Sequence, residues 1–196
     1  MTVFVSGGAR SGKSAVAEAA VLDAAGEGLA YYIATAKVSD DEMAVRVARH
    51  QRSRGDGWVT LEAPVALASA IAQVPDGGAA LIDCLTLWAS QVLYPREADA
   101  MRPTPEQAMA DLSGCLESAR RRGMALIIVS NDLNEALLPD DPETWRYVAF
   151  LQRAHRLVAR RADSVLEVVA GQCIEWKPAC RTAYKPENAG SGDAHR

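Results

Sequence analysis

Three groups of residues have the types and spacing to handle phosphate. The octapeptide Gly7-Gly8-Ala9-Arg10-Ser11-Gly12-Lys13-Ser14 fits the pattern G-x-x-x-x-G-K-[ST] and follows the apolar run Val3 to Val5. Glycines in such a loop let backbone amides close round a β-phosphate. Lys13 then reaches the β- and γ-phosphates, and the Ser14 hydroxyl reaches Mg²⁺. A helix opening at Lys13 adds partial positive charge at the same point. A purely structural glycine turn is the alternative, and the strand–loop–helix context weighs against it.

Asp83 is the second candidate. It follows Ala79-Ala80-Leu81-Ile82 and so stands at the carboxyl end of an apolar strand. Ligands of open α/β sheets bind at that edge. A Mg²⁺ ion needs an acidic contact beyond the loop hydroxyl, and the phosphate loop favours that role for Asp83 over the alternative of a helix cap ahead of Leu85. The third candidate is His50, within "DDEMAVRVARHQRSR" from Asp40 to Arg54. On a helical projection Met43, Ala44, Val47 and Ala48 form an apolar stripe. His50 falls at its edge, with Arg46 and Arg54 one turn before and after. Guanidinium neighbours keep an imidazole neutral and attract a triphosphate, so the ring could attack phosphorus. By itself the same residue also reads as an ordinary surface histidine. No N-K-x-D guanine motif is present, which argues against a signalling GTPase.

These residues need a frame to hold them. Short, mostly unalternating apolar runs at Val3 to Val5, Leu29 to Ala34, Ala79 to Asp83, Ala125 to Ser130 and Val165 to Ala170 read as strands covered on both faces. Helices are expected between them: Lys13 to Ala25, stopped by Gly26; a second from Asp40–Asp41, whose carboxylates suit a helix start; and Pro64 to about Val74. Others are Leu85 to Tyr94, stopped by Pro95, and one opened by the capping box of "TPEQ" at Thr104 and closed by Gly123. The last runs from "DPET" at Asp141 to about Ala162. Alternating strands and helices predict one α/β domain over residues 1–177, with a mainly parallel sheet flanked by helices. With the phosphate loop on its first strand, this is a P-loop NTPase-like arrangement. Val165 to Ala170, a Gly171–Gln172 turn and Ile174 to Trp176 predict a C-terminal hairpin. Residues 178–196 read as a loose tail.

Composition narrows the function class. The 196 residues suit one domain, and 49% hydrophobic with 23% charged content describes a globular rather than a disordered chain. A formal charge of −4 supplies no field for recruiting nucleic acid. Basic residues cluster at Arg46 to Arg54 and Arg156 to Arg161, as either an anion site or a solvated helix face. No signal peptide or membrane-length apolar run is visible. Cys84, Cys115, Cys173 and Cys180 show no zinc spacing and are expected to be reduced thiols in the cytoplasm.

The segments "GGARSGKS", "YIATA", "DDEMAVRVARHQRSR", "WVTLEAP" and "LIDCLTLW", in that order, resemble the bifunctional adenosylcobinamide kinase/adenosylcobinamide-phosphate guanylyltransferase family of cobalamin assembly. The resemblance is dense from Thr2 to Trp88. It implies phosphorylation of the aminopropanol hydroxyl of adenosylcobinamide by GTP or ATP. A GMP transfer from GTP to a histidine and on to that phosphate would follow. By position it implies that His50 is the guanylylated residue and that Gly7 to Ser14 form the phosphate loop. It further implies nucleotide contacts from Ala34, Thr35, Ala36, Gln51, Arg52, Ser53, Arg54, Glu62 and Asp83, and a homotrimer. The second half departs from the family pattern. "SNDLNEALLP" (Ser130 to Pro139) replaces [ST]-N-E-V-G-x-G-I-V-P. On the last helix Ala149, Gln152, His155 and Arg156 replace D-x-x-G-x-x-N-Q. His155 reads as structural and His195 as part of the tail. Two other classes share these residues: a small-molecule P-loop kinase without a covalent intermediate, and a nucleotide-binding regulator without turnover.

Overall fold

Five apolar runs line up side by side because each is too short and too uniformly hydrophobic to be stable with either face in water. A computed structural model describes residues 1–36, 57–95, 103–133 and 140–178. The strands are β1 Thr2–Gly7, β2 Ala30–Ala34, β3 Trp58–Glu62, β4 Ala79–Asp83, β5 Ala125–Asn131, β6 Ser164–Val169 and β7 Gln172–Lys177. They form one sheet in the order β3-β2-β4-β5-β1-β6-β7. All neighbours are parallel except β6 and β7. The predicted α/β class and the C-terminal hairpin are therefore both present.

The described helices are α1 Lys13–Ala25, α2 Leu67–Ile71, α3 Leu85–Leu93, α4 Pro105–Arg121 and α5 Pro142–Arg161. Alternation along each strand sends successive side chains to opposite faces. Val3, Val5, Leu81, Ile127 and Val129 pack with Ala17 and Val21 of α1 on one face. Phe4, Ile33, Ile82, Leu126 and Ile128 pack under α2 to α5 on the other. Trp88 of α3 is wholly buried there, stacked on Phe150 of α5 at 5.5 Å between ring centroids.

Local signals set most boundaries. Thr104 accepts from the Gln107 amide while Gln107 accepts from the Thr104 amide, the capping box expected for α4. Asp141 caps α5 through the Thr144 amide at 2.8 Å. The helix expected from Pro64 to Val74 is shorter, Leu67–Ile71. Gln73 and Val74 turn back on Ala70 and Ile71 through i→i−3 bonds, because Pro75 next in sequence disfavours helical geometry at Val74. Trp58–Glu62 was not expected as a strand. It is a half-buried edge, paired among the described residues only with β2, and lacks the apolar run that marks the central strands. The hairpin turn lies one residue earlier than predicted, at Ala170 and Gly171 (φ 49° and 80°), the pair of left-handed residues that matches strand twist. The helix expected over Asp40 to Arg54 and the tail beyond residue 178 lie outside the described residues.

Candidate nucleotide site

β1 ends at Gly7, and the loop that follows turns sharply into α1. A side chain at position 7 has no room: a Cβ there would meet the Val168 carbonyl oxygen and lie 2.7 Å from Ser11 Oγ. Gly12 at φ 96° caps α1, with no side-chain hydrogen bond and no acidic residue in the first turn. The first-turn amides of α1 thus have neither intrahelical acceptors nor a capping side chain, and they present a partial positive charge. Lys13 is buried and its Nζ donates to the Gly8 carbonyl at 3.0 Å, so the ammonium is folded over the loop. Ser11 Oγ is a buried hydroxyl without a hydrogen-bond partner among the described residues. Such an orphan costs about 1–3 kcal/mol, and a phosphate oxygen in the cradle would satisfy it. The Gly171 amide donates to the Ser11 carbonyl at 2.8 Å. The hairpin turn therefore props the loop, a contact between residues far apart in sequence.

The acidic candidate stands along the same sheet edge. β5 separates β1 from β4, and Asp83 is the last residue of β4. Ala34 of β2 is level with both Asp83 and Glu62 of β3. Ala34, Glu62 and Asp83 thus form one row at the carboxyl edge. Asp83 is not the cap of α3, because Cys84 holds that position without a side-chain cap bond. Its Oδ2 instead accepts from the Tyr32 hydroxyl at 2.8 Å. Thr35, fully buried, donates from Oγ1 to the carbonyls of Asp83 and Cys84 and accepts from the Cys84 amide at 2.7 Å. Ala36 is half-buried. Burial, and secondly the Asp83 charge, push the Cys84 thiol up, so it stays protonated and inert.

Among the described residues no cluster of three or more His, Cys, Asp or Glu could hold a metal by itself. Mg²⁺ does not need one, since it is bound by one or two carboxylates together with substrate phosphates. The exposed Ser14 and the second oxygen of Asp83, which has no hydrogen-bond partner among the described residues, are hard oxygen donors of the right kind. They fit the ion. His50, Gln51, Arg52, Ser53 and Arg54 lie outside the described residues.

His155 is structural, as its sequence context suggested. Its Nε2 lies 2.7 Å from Ser130 Oγ at the end of β5, and its ring rests on Phe4 at 5.3 Å. Burial pushes the imidazole down to about 4, against the opposing pull of the Asp132 carboxylate. The unfolded ring titrates near 6.5. Stability from this site is complete above that value and is lost as pH falls toward 4, because only the unfolded chain takes up the proton. The protein is expected to be about 2 kcal/mol less stable at pH 5 than at pH 7 from this group alone. His155→Asn should remove that component, as urea unfolding at the two pH values would reveal. An equal pH dependence in both proteins would contradict it.

Two contacts at this edge escaped the sequence reading: the Tyr32 hydroxyl on Asp83 and the Gly171 amide on Ser11. The first crosses between two strands and the second between two loops, and neither neighbour relation is written in the local sequence. Tyr32 does share strand parity with Ala34, a signal usable once β2 and β4 are known to pair.

A phosphate loop between the first strand and first helix, with an acidic residue one strand beyond the neighbouring strand, defines a P-loop nucleotide-binding α/β protein. Residues 3–176 match the family described as cobinamide kinase / cobinamide phosphate guanyltransferase. The chain belongs to this family and is a transferase with those two activities. It is similar to the bifunctional adenosylcobalamin biosynthesis protein CobP of Pseudomonas aeruginosa, at 37% identity over 87% of this chain and 94% of that protein. It is also similar to two proteins named bifunctional adenosylcobalamin biosynthesis protein CobU. The Escherichia coli protein is 30% identical and the Salmonella typhimurium protein 32% identical, each over 90% of this chain and 100% of its own length.

Proposed function

We propose that this chain acts on adenosylcobinamide in adenosylcobalamin biosynthesis, first as a kinase and then as a guanylyltransferase through a histidine-bound GMP. The observation that carries the reading is the phosphate loop with Lys13 folded over it, on the same sheet edge as Asp83. In the first reaction the aminopropanol hydroxyl oxygen bonds to the γ-phosphorus of GTP or ATP as the bond to the bridging oxygen breaks. The loop amides and Lys13 hold the β- and γ-phosphates while charge shifts onto the departing diphosphate. Mg²⁺, held by Ser14 and Asp83, would supply further charge neutralisation.

In the second reaction an uncharged His50 nitrogen bonds to the α-phosphorus of GTP, and pyrophosphate leaves. An oxygen of the cobinamide phosphate then attacks the same phosphorus and frees the histidine. Ala34, Thr35, Ala36, Gln51 to Arg54 and Glu62 are assigned to nucleotide contacts in this scheme. Thr35 serves through its backbone and through the anchoring of Asp83, since its side chain is already committed to β4.

Incubation with labelled GTP tests the covalent step. Acid-labile, base-stable label, mapped by mass spectrometry to the peptide containing His50, is the expected result. Kinase turnover with unlabelled protein would instead indicate a P-loop kinase without the second activity.

Asp83→Asn removes a carboxylate charge at nearly constant shape. The Mg²⁺ concentration needed for half-maximal kinase activity should rise by about tenfold or more, while metal-free nucleotide binding stays nearly unchanged. A superimposable Mg²⁺ titration would remove Asp83 from the metal site.

A further inference from the structure

We propose that Tyr32 is a positioning residue for the phosphoryl-transfer metal, acting through Asp83; the inference rests on the reading of Asp83 as a Mg²⁺ contact. Tyr32 lies on β2 opposite Leu81 of β4, two residues before the row that holds Ala34 and Asp83. The period of two along both strands puts Tyr32 and Asp83 on the same face of the sheet. This is the face covered by α1, the helix that begins with Lys13 and Ser14, and Tyr32 packs into its cluster.

A carboxylate at a strand end can rotate about its terminal torsion, and that torsion is broad. The Tyr32 hydroxyl fixes it by donating to Oδ2 at 2.8 Å, which leaves the other oxygen for the ion. Hydrogen bonds to an ionised acceptor are roughly twice as strong as neutral ones. The phenol ring is itself braced: Trp58 of β3 meets it edge-on, with 6.3 Å between ring centroids and an interplanar angle of 74°. Thr35 fixes the backbone of the same residue through the Asp83 and Cys84 carbonyls. The side chain of Asp83 is thus held by Tyr32 of β2 and its main chain by Thr35, the residue after that strand. Partners that orient a metal's carboxylate ligand typically account for 10–100-fold in metal affinity or activity.

The test uses Mn²⁺ as the probe ion and α,β-methylene-GTP, which cannot release GMP to a histidine, with no cobinamide acceptor present and free Mn²⁺ read by electron paramagnetic resonance. Four full-length proteins are compared: wild type, Tyr32→Phe, Asp83→Asn and the double variant. Tyr32→Phe should weaken Mn²⁺ binding about tenfold and leave metal-free nucleotide affinity unchanged. In the Asp83→Asn background the same substitution should have no further effect. Unchanged Mn²⁺ binding in Tyr32→Phe, beside weakened binding in Asp83→Asn, would overturn the role of Tyr32 alone. An equal effect of Tyr32→Phe in both backgrounds would overturn it too, since its influence would not run through Asp83. Unchanged Mn²⁺ binding in Asp83→Asn would instead overturn the metal reading of Asp83. Thr35→Val, which removes the backbone anchor, provides a second variant should Tyr32→Phe fold poorly, and it too should weaken Mn²⁺ binding only while Asp83 is present.

Discussion

His50→Ala eliminates GMP labelling and guanylyl transfer while leaving substantial phosphorylation of the cobinamide hydroxyl: this is the largest expected separation of the two activities. In the proposed mechanism kinase transfer moves the γ-phosphoryl group directly to a substrate oxygen and uses the loop, Lys13 and the metal contacts, with no covalent bond to protein. Guanylyl transfer through bound GMP needs an uncharged imidazole in line with the α-phosphorus, and alanine offers no nucleophile. Labelling of the unmodified protein should also fall as pH drops below the imidazole pKa, because a protonated ring has no lone pair to give. His155 is an internal control. It is half-buried, its ring on Phe4 and its Nε2 engaged with Ser130, so label should map to the His50 peptide only. GMP labelling that survives His50→Ala, or label on His155, defeats the assignment.

The second large effect is expected at Lys13. Lys13→Ala should lower kinase kcat by about 10²- to 10³-fold, the range typical for losing a charge-stabilising donor in a water-poor site. It should weaken triphosphate binding as well. The fold should survive, since the side chain makes one hydrogen bond, to the Gly8 carbonyl, and no ion pair among the described residues. Far-UV circular dichroism together with single-turnover kinetics decides the matter. A folded Lys13→Ala protein with normal turnover would remove the lysine from the mechanism. Together the two variants tell the activities apart: Lys13→Ala cuts phosphorylation by about 10²- to 10³-fold, whereas His50→Ala spares it.

Much of this protein is written locally in its chain. The octapeptide before α1 specifies its loop because glycine alone tolerates the crowding at position 7 and the left-handed turn at position 12. The capping box of α4, the Asp141 cap of α5 and the proline at the start of each fix helix starts through bonds spanning three residues. The apolar run Ala79 to Ile82 delivers Asp83 to a carboxyl strand end whatever its neighbours are. Such features depend on residues within one turn or one strand, so the sequence by itself determined the phosphate loop, the α/β class and the candidate acidic group.

Strand order was decided only by the tertiary structure. That β5 lies between β1 and β4, that β2 sets Tyr32 beside Asp83, and that the β6–β7 turn reaches the loop at Ser11 all join residues 46 to 160 positions apart. Trp58–Glu62 became a strand because β2 offered an unpaired edge, not because its own half-buried pattern demanded it. Local patterning decides which segments are strands or helices and which faces are apolar. Which strand lies beside which is settled by packing both faces of the whole sheet at once, and that packing turns a lone aspartate into one held from two directions.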